Sequence, residues 1–205
     1  MRRPTLRRER ALWASGLLHV AGLDEVGRGP LAGPVVAAAV ILSPGRRAPV
    51  GLRDSKTLTA AQRERAAVVI RHRALSWGVG AASVREIDRI NIRRASALAM
   101  RRALARLHVR PDYILIDGPP LPELLAEHEA LLQGDGRCAS IAAASILAKC
   151  VRDRLMERLA MHYPAFHWDA NKGYGTRDHL DILDHDGPTP HHRRSFTPVL
   201  QPRLL

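Results

Sequence analysis

Apolar positions run unbroken in three short stretches and recur at helical spacing in three longer ones. Leu17–Leu23 is apolar almost throughout and stops at two adjacent carboxylates, Asp24 and Glu25; Val35–Leu42 is continuous and partly β-branched. Both read as buried strands, joined as a hairpin. After a loop from Ser43 to Lys56, Thr59 and Gln62 form a capping-box pattern that opens a helix to about Ala74, and Leu75–Ala82 reads as a third strand. Ser83 and Glu86 open another helical stretch. Asn91 reads as the cap of a long helix whose Ile92, Ala95, Leu98, Ala99, Ala103 and Leu107 lie on one face, with arginines opposite. Tyr113–Ile116 is a short buried strand that also ends in an acid, Asp117, before Gly118. Beyond a loop from 118 to 132 come Gly134-Asp135-Gly136 and an Ala-rich helix from Ser140 to about Met161. Residues 171–176 form a turn, 178–185 a short helix and 191–196 a basic loop, while residues 1–14 are a basic, partly helical lead-in.

Alternation of strands and helices after a hairpin implies an α/β fold, a mixed sheet flanked by helices, with the strand-end acids at one edge. At 205 residues the chain fits one domain spanning 1–205, with a core of about 15–160 and a C-terminal extension over 161–205. Lysine and arginine number 32 against 20 acids, a net charge of +12 that favours a polyanionic partner. No uninterrupted apolar stretch is long enough to span a bilayer, and the basic start lacks the apolar run of a secretion signal, so a cytoplasmic protein without membrane contact is expected. Cys138 and Cys150, 12 residues apart on one helix, stand roughly 18 Å from each other and are read as buried free thiols. No cysteine pair or His-Glu-x-x-His spacing accompanies the ten histidines, which are read mostly as surface or phosphate-facing.

Asp24, Glu25, Asp117 and Asp135 carry the chemistry. Taken singly, each is an ordinary acid at a strand end or turn. Together they place four carboxylates on one edge, and such a concentration of like charge calls for cations. Hard oxygen ligands suit Mg²⁺ or Mn²⁺, and two ions roughly 3.5 to 4 Å apart can activate water and steady the leaving oxygen of a phosphodiester. Gly27-Arg-Gly-Pro-Leu-Ala32 also fits the G-x-G-x-x-A dinucleotide pattern, but Pro30 and Pro34 interrupt it and a strand follows where that pattern needs a helix. Lys56, Lys149, Lys172, Arg193 and Arg194 are candidate phosphate contacts, and Tyr174 between two glycines is placed to stack on a sugar or base. A basic binding module with purely structural acids is the rival from another class.

The run Gly22-Leu-Asp24-Glu25-Val-Gly27-Arg28-Gly29-Pro-Leu-Ala-Gly-Pro34 resembles ribonuclease HII, the type 2 ribonuclease H family. Asp54-Ser-Lys56, Ile114–Gly118, Gly134-Asp135, Ala142–Lys149, Asn171–Thr176 and His192–Phe196 follow in the same order, so the likeness runs from about residue 12 to 200. It implies a ribonuclease H-like sheet with a C-terminal helical extension. It also implies a metal-dependent endonuclease that cuts RNA paired to DNA and 5′ of single ribonucleotides in duplex DNA, leaving 3′-hydroxyl and 5′-phosphate ends. The resemblance places the metal-binding and catalytic acids on Asp24, Glu25, Asp117 and Asp135, and the 2′-hydroxyl-contacting backbone on Gly27, Arg28 and Gly29. Tyr174 falls on the residue that packs against the neighbouring deoxyribose; Lys56, Lys172, Arg193 and Arg194 remain substrate-binding candidates on their charge alone. Two departures stand out: Gln133 replaces a frequent lysine and Gly136 a usual alanine or serine, which removes an expected phosphate contact at 133. The 23 residues before Asp24 are too few for the extra N-terminal domain of type 3 enzymes. A monomer is expected, and the tail from Pro198 lacks the aromatic pair that would support docking to a replication clamp.

Overall fold

The computed structural model of the chain describes residues 3–200, apart from the side chain of Lys56. In chain order the elements are α1 (Arg7–Ala14), β1 (Val20–Val26), β2 (Val35–Leu42), α2 (Ala60–Arg73), β3 (Ala74–Ala82), α3 (Val84–Leu104), β4 (Tyr113–Asp117), β5 (Glu129–Leu131), α4 (Ala139–His162), α5 (Trp168–Asn171), α6 (Arg177–Asp186) and α7 (Thr197–Leu200). The strands form one mixed sheet in the order β3-β2-β1-β4-β5. β1 pairs antiparallel with β2 and parallel with β4, β2 pairs antiparallel with β3, and β5 adds in parallel beyond β4.

All eight residues of β2 are buried because both faces of the sheet are covered, which is why its sequence is a continuous apolar run and does not alternate. Val36, Ala38, Val40 and Leu42 pack with α2 and α4, while Val35, Ala37, Ala39 and Ile41 pack with α3. The C-terminal segment closes a further cluster, in which Phe166, Trp168, Leu183 and Val199 meet Met156 and Ala160 of α4 and Leu31 and Ala32 of the β1–β2 loop.

Several sequence expectations hold in detail. Thr59/Gln62 and Ser83/Glu86 both form reciprocal capping boxes. Asn91 has φ 66° and its side-chain oxygen accepts from the amide of Arg94, so it breaks α3 and caps the second segment. The two cysteines are buried and unpaired. Others shift. β1 begins at Val20 and continues to Val26, so Asp24 and Glu25 lie inside the strand and not beyond it; a charged side chain leaves the backbone ladder to β2 intact through Val26↔Val36. β5 has no apolar pattern of its own. His179 and His192 are fully buried, with their Nε2 atoms 2.9 Å apart, contrary to the surface reading of the histidines. The tail beyond residue 200 lies outside the described residues. No helix of the described chain is long and apolar enough to cross a membrane.

α1 is anchored under α4. Glu9 is fully buried and accepts from both the amide and the hydroxyl of Ser140 at 2.8 and 2.7 Å, supplying the N-terminal partner that Cys138 at the cap position does not. Glu9→Ala is expected to lower unfolding stability by about 1–3 kcal/mol, with Glu9→Gln losing less because its amide oxygen accepts the same two bonds. Urea denaturation of the two variants checks this, and an unchanged midpoint in Glu9→Ala would refute it.

Candidate active site

The parallel register of β1 and β4 pairs Leu23 with Ile116, so the next residue on each strand, Asp24 and Asp117, sit side by side. Strand alternation sends Asp24 to the α4 face, where Ser145 hydrogen-bonds its carboxylate. Ser145 is itself 3.0 Å from the hydroxyl of Ser55. Asp135 arrives from a single helical turn, Gly134–Gly136, immediately before α4, and the amide of Gly134 donates to Asp117 at 2.6 Å. Carboxylate oxygens of Asp24, Asp117 and Asp135 all lie within 4.8 Å of one another.

Glu25 faces the other side of β1. With Asp117 it lines a small pocket against Ser96 and Met100 of α3, and it accepts from Arg28 at 3.1 Å. Burial pushes the Asp24 carboxyl well above its ordinary range, and the charges of Glu25, Asp117 and Asp135 add to the rise. Burial raises Glu25 as well, with Arg28 opposing. Buried acids whose charges repel one another concentrate negative charge in one place, the setting that a divalent cation neutralises. The all-oxygen donor set fits Mg²⁺ or Mn²⁺.

The loop after β1 supplies the adjoining surface. Arg28 and Gly29 are exposed, and a Cβ on Gly29 would stand 3.6 Å from the ring of Tyr174, itself 49% exposed, so loop and tyrosine form one continuous face. Gly27 has φ +93° and leaves no room for a side chain, since a Cβ there would meet Arg152 Nε at 2.1 Å.

The remaining basic candidates divide. Arg194 is exposed, and its main-chain amide is held by Asp88. Lys172 pairs with Glu157 at 2.7 Å, and Lys149 with Asp153 at the same distance. Arg193 is 0% exposed, and its guanidinium donates to the carbonyls of Gly27, Arg28 and Gly33. It sits behind the loop and has no open path to a phosphate. Burial lowers its pKa to about 9 and that of Arg152 to about 10, which leaves both charged at neutral pH. The side chain of Lys56 is outside the described residues, and Gln133 is exposed with φ 55°. Sequence reasoning gave no role to Ser55, Ser145 or Arg152; the first two stand in the quoted Asp54-Ser-Lys56 and Ala142–Lys149 motifs, but only packing shows which way they point.

The ribonuclease HII family matches residues 21–199. The chain belongs to the ribonuclease HII family. The ribonuclease HII of Ruegeria pomeroyi is 54% identical over 200 residues, covering 97% of this chain and 85% of that protein. The Cereibacter sphaeroides protein of the same name is 56% identical over 197 residues, 96% of this chain and 92% of its own. Among solved structures, the ribonuclease H2 of Pyrococcus horikoshii superposes with a TM-score of 0.74 at 26% identity, covering 88% and 95% of the two chains. Bst-RNase HIII, solved in complex with Mn²⁺, shares the fold with a TM-score of 0.69 at 23% identity over 93% of this chain and 71% of that one. Membership of the ribonuclease HII family makes the protein a metal-dependent endoribonuclease of the ribonuclease H type, built on the ribonuclease H-like fold.

Proposed function

We propose that the protein cuts the RNA strand of RNA/DNA hybrids and cleaves 5′ of single ribonucleotides embedded in duplex DNA, a DNA-repair activity of the cytoplasm, with two divalent ions, Mg²⁺ or Mn²⁺, bound during catalysis. The convergence of Asp24, Asp117 and Asp135 beside Glu25 carries this reading. Ions held by these four acids would lower the pKa of a bound water and balance charge on the scissile phosphate. Water oxygen adds to phosphorus, the bond from phosphorus to the preceding 3′-oxygen breaks, and that oxygen takes up a proton, which leaves 3′-hydroxyl and 5′-phosphate ends. Ser145 keeps the Asp24 carboxylate aimed at the cluster, and Gly134 does the same for Asp117. All four acids come from one chain, consistent with action as a monomer.

Recognition of the sugar falls to the exposed face beside the acids. The backbone of Gly27, Arg28 and Gly29 reads the 2′-hydroxyl, the one group that separates ribose from deoxyribose, and Tyr174 packs on the next sugar. Lys172 and Arg194 supply phosphate contacts around this face. Arg193 serves it from behind, through the carbonyls of the loop.

A duplex carrying one ribonucleotide, incubated with Mg²⁺ or Mn²⁺ and with chelator, tests the reading. Metal-dependent cutting on the 5′ side of the ribonucleotide, with 3′-hydroxyl and 5′-phosphate ends, is expected. Cutting confined to long RNA tracts, or products ending in a 2′,3′-cyclic phosphate, would overturn it.

A further inference from the structure

Three segments interlock behind the exposed face: the β1–β2 loop, the turn carrying Tyr174, and residues 191–193. The amides of Leu31 and Ala32 both donate to the carbonyl of Gly173, at 2.8 and 3.3 Å. Gly33 donates to His191 and Arg193 donates back to Leu31, at 2.9 and 2.8 Å. Arg152 enters this junction from α4 with no exposed surface. Its Nε donates to Pro34 O at 3.0 Å, Nη2 to Ala32 O at 3.1 Å and Nη1 to Lys172 O at 2.9 Å. One guanidinium therefore holds the loop at two carbonyls and the tyrosine turn at a third. Because its N–H directions are fixed in one plane, it satisfies all three only when loop and turn keep one spacing.

The same helix supports the acids. Ser145, which bonds Asp24, lies seven residues before Arg152 on α4, two turns along the same face. Registry among the catalytic acids, the loop and the tyrosine turn thus runs through a single rigid element.

We infer that Arg152 is a positioning residue that sets the distance between the Gly27–Gly29 backbone and the Tyr174 ring, and thereby the preference for a lone ribose followed by deoxyribose over a continuous RNA tract. The inference rests on the proposed roles of those two segments. A lone ribonucleotide offers a single 2′-hydroxyl with a deoxyribose beside it, so both segments must engage it together at a fixed separation. A tract offers a 2′-hydroxyl on every sugar and tolerates a displaced partner. Small misplacements of positioning groups carry large rate penalties.

The test compares kcat/KM on a duplex holding one ribonucleotide with that on a long RNA/DNA hybrid, in wild type, Arg152→Lys and Gly173→Ala. Lysine keeps the charge and loses the fork. An alanine at 173 opposes φ +85° and drives a Cβ to 2.6 Å from Ala32 O, wedging the same junction from the other side. The single-ribonucleotide to tract ratio is expected to fall about tenfold or more in both variants, while Mn²⁺ affinity measured by calorimetry stays within about twofold of wild type. A merely structural role would lower both activities together. A ratio unchanged in whichever of the two variants folds, with wild type cutting the single-ribonucleotide duplex well, would overturn the inference and leave the proposed function standing. A wild type that does not cut that duplex at all would remove the proposed function and the inference with it.

Discussion

Asp24→Asn is expected to lower cleavage by about 10³-fold while making the metal-free protein more stable. Asparagine keeps the shape and the oxygen that accepts the Glu25 amide at 2.7 Å, so the local backbone has no reason to move. What it removes is a buried charge pressed against Glu25, Asp117 and Asp135. Relief of such a charge is worth roughly 1–3 kcal/mol in chelator. The sign of the pH dependence follows. The folded state holds the Asp24 proton more tightly than the unfolded chain, whose carboxyl titrates near about 3.9. The contribution of Asp24 therefore favours the fold at and below that value and is lost as pH rises toward its raised folded pKa. Thermal melts in chelator should show the advantage of the variant widening as pH rises above about 4, and Mn²⁺ should reverse it by stabilising wild type alone. A variant that melts below wild type throughout, or that still turns over substrate, would contradict the proposed role of Asp24.

Gly22→Ala should be among the most damaging single substitutions in the chain. A Cβ at Gly22 would stand 2.3 Å from the carbonyl carbon of Ser140, 2.4 Å from the nitrogen of Ile141 and 2.5 Å from the Ser140 hydroxyl. Two of these atoms are helix backbone, so no rotamer change relieves the overlap, and α4 must back away from β1. A loss of about 3 kcal/mol or more is expected. Because Ser145 rides on α4 and Asp24 follows Gly22 by two residues on the same face of β1, cleavage should fall beyond what the unfolded fraction explains. Guanidinium denaturation together with activity at a temperature where the variant remains folded checks both parts. A stability change under about 1 kcal/mol would show that the helix can move freely, and the close packing invoked here would then be wrong.

Much of this architecture is legible locally. The two capping boxes, the break at Asn91, the buried runs of β1, β2 and β4 and the free thiols are all properties of a few neighbouring residues, and short-range sterics and hydrogen bonding decide them. β5 is three residues without an apolar pattern, formed because β4 offers it a parallel edge at Leu115–Asp117. Its existence depends on that neighbouring strand and not on its own three residues. The Arg193 side chain is likewise misread from its neighbours: a basic loop looks solvated until three carbonyls of a segment some 160 residues away are found around it. His179 and His192 hide in the aromatic cluster of Phe166 and Trp168 for the same reason.

Local pattern alone singles out the candidate groups: four acids at the carboxyl ends of apolar runs or between glycines, with the family motifs in order, because composition and periodicity decide where the chain enters and leaves the core. How those groups meet is set by the packed fold. The parallel register of β1 and β4 sets Asp24 beside Asp117, strand alternation turns Glu25 to the opposite face, Arg152 ties the β1–β2 loop to the Tyr174 turn, and Arg193 holds that loop from behind. Those relations join residues far apart along the chain, and burying one shared core is what fixes the distances between them.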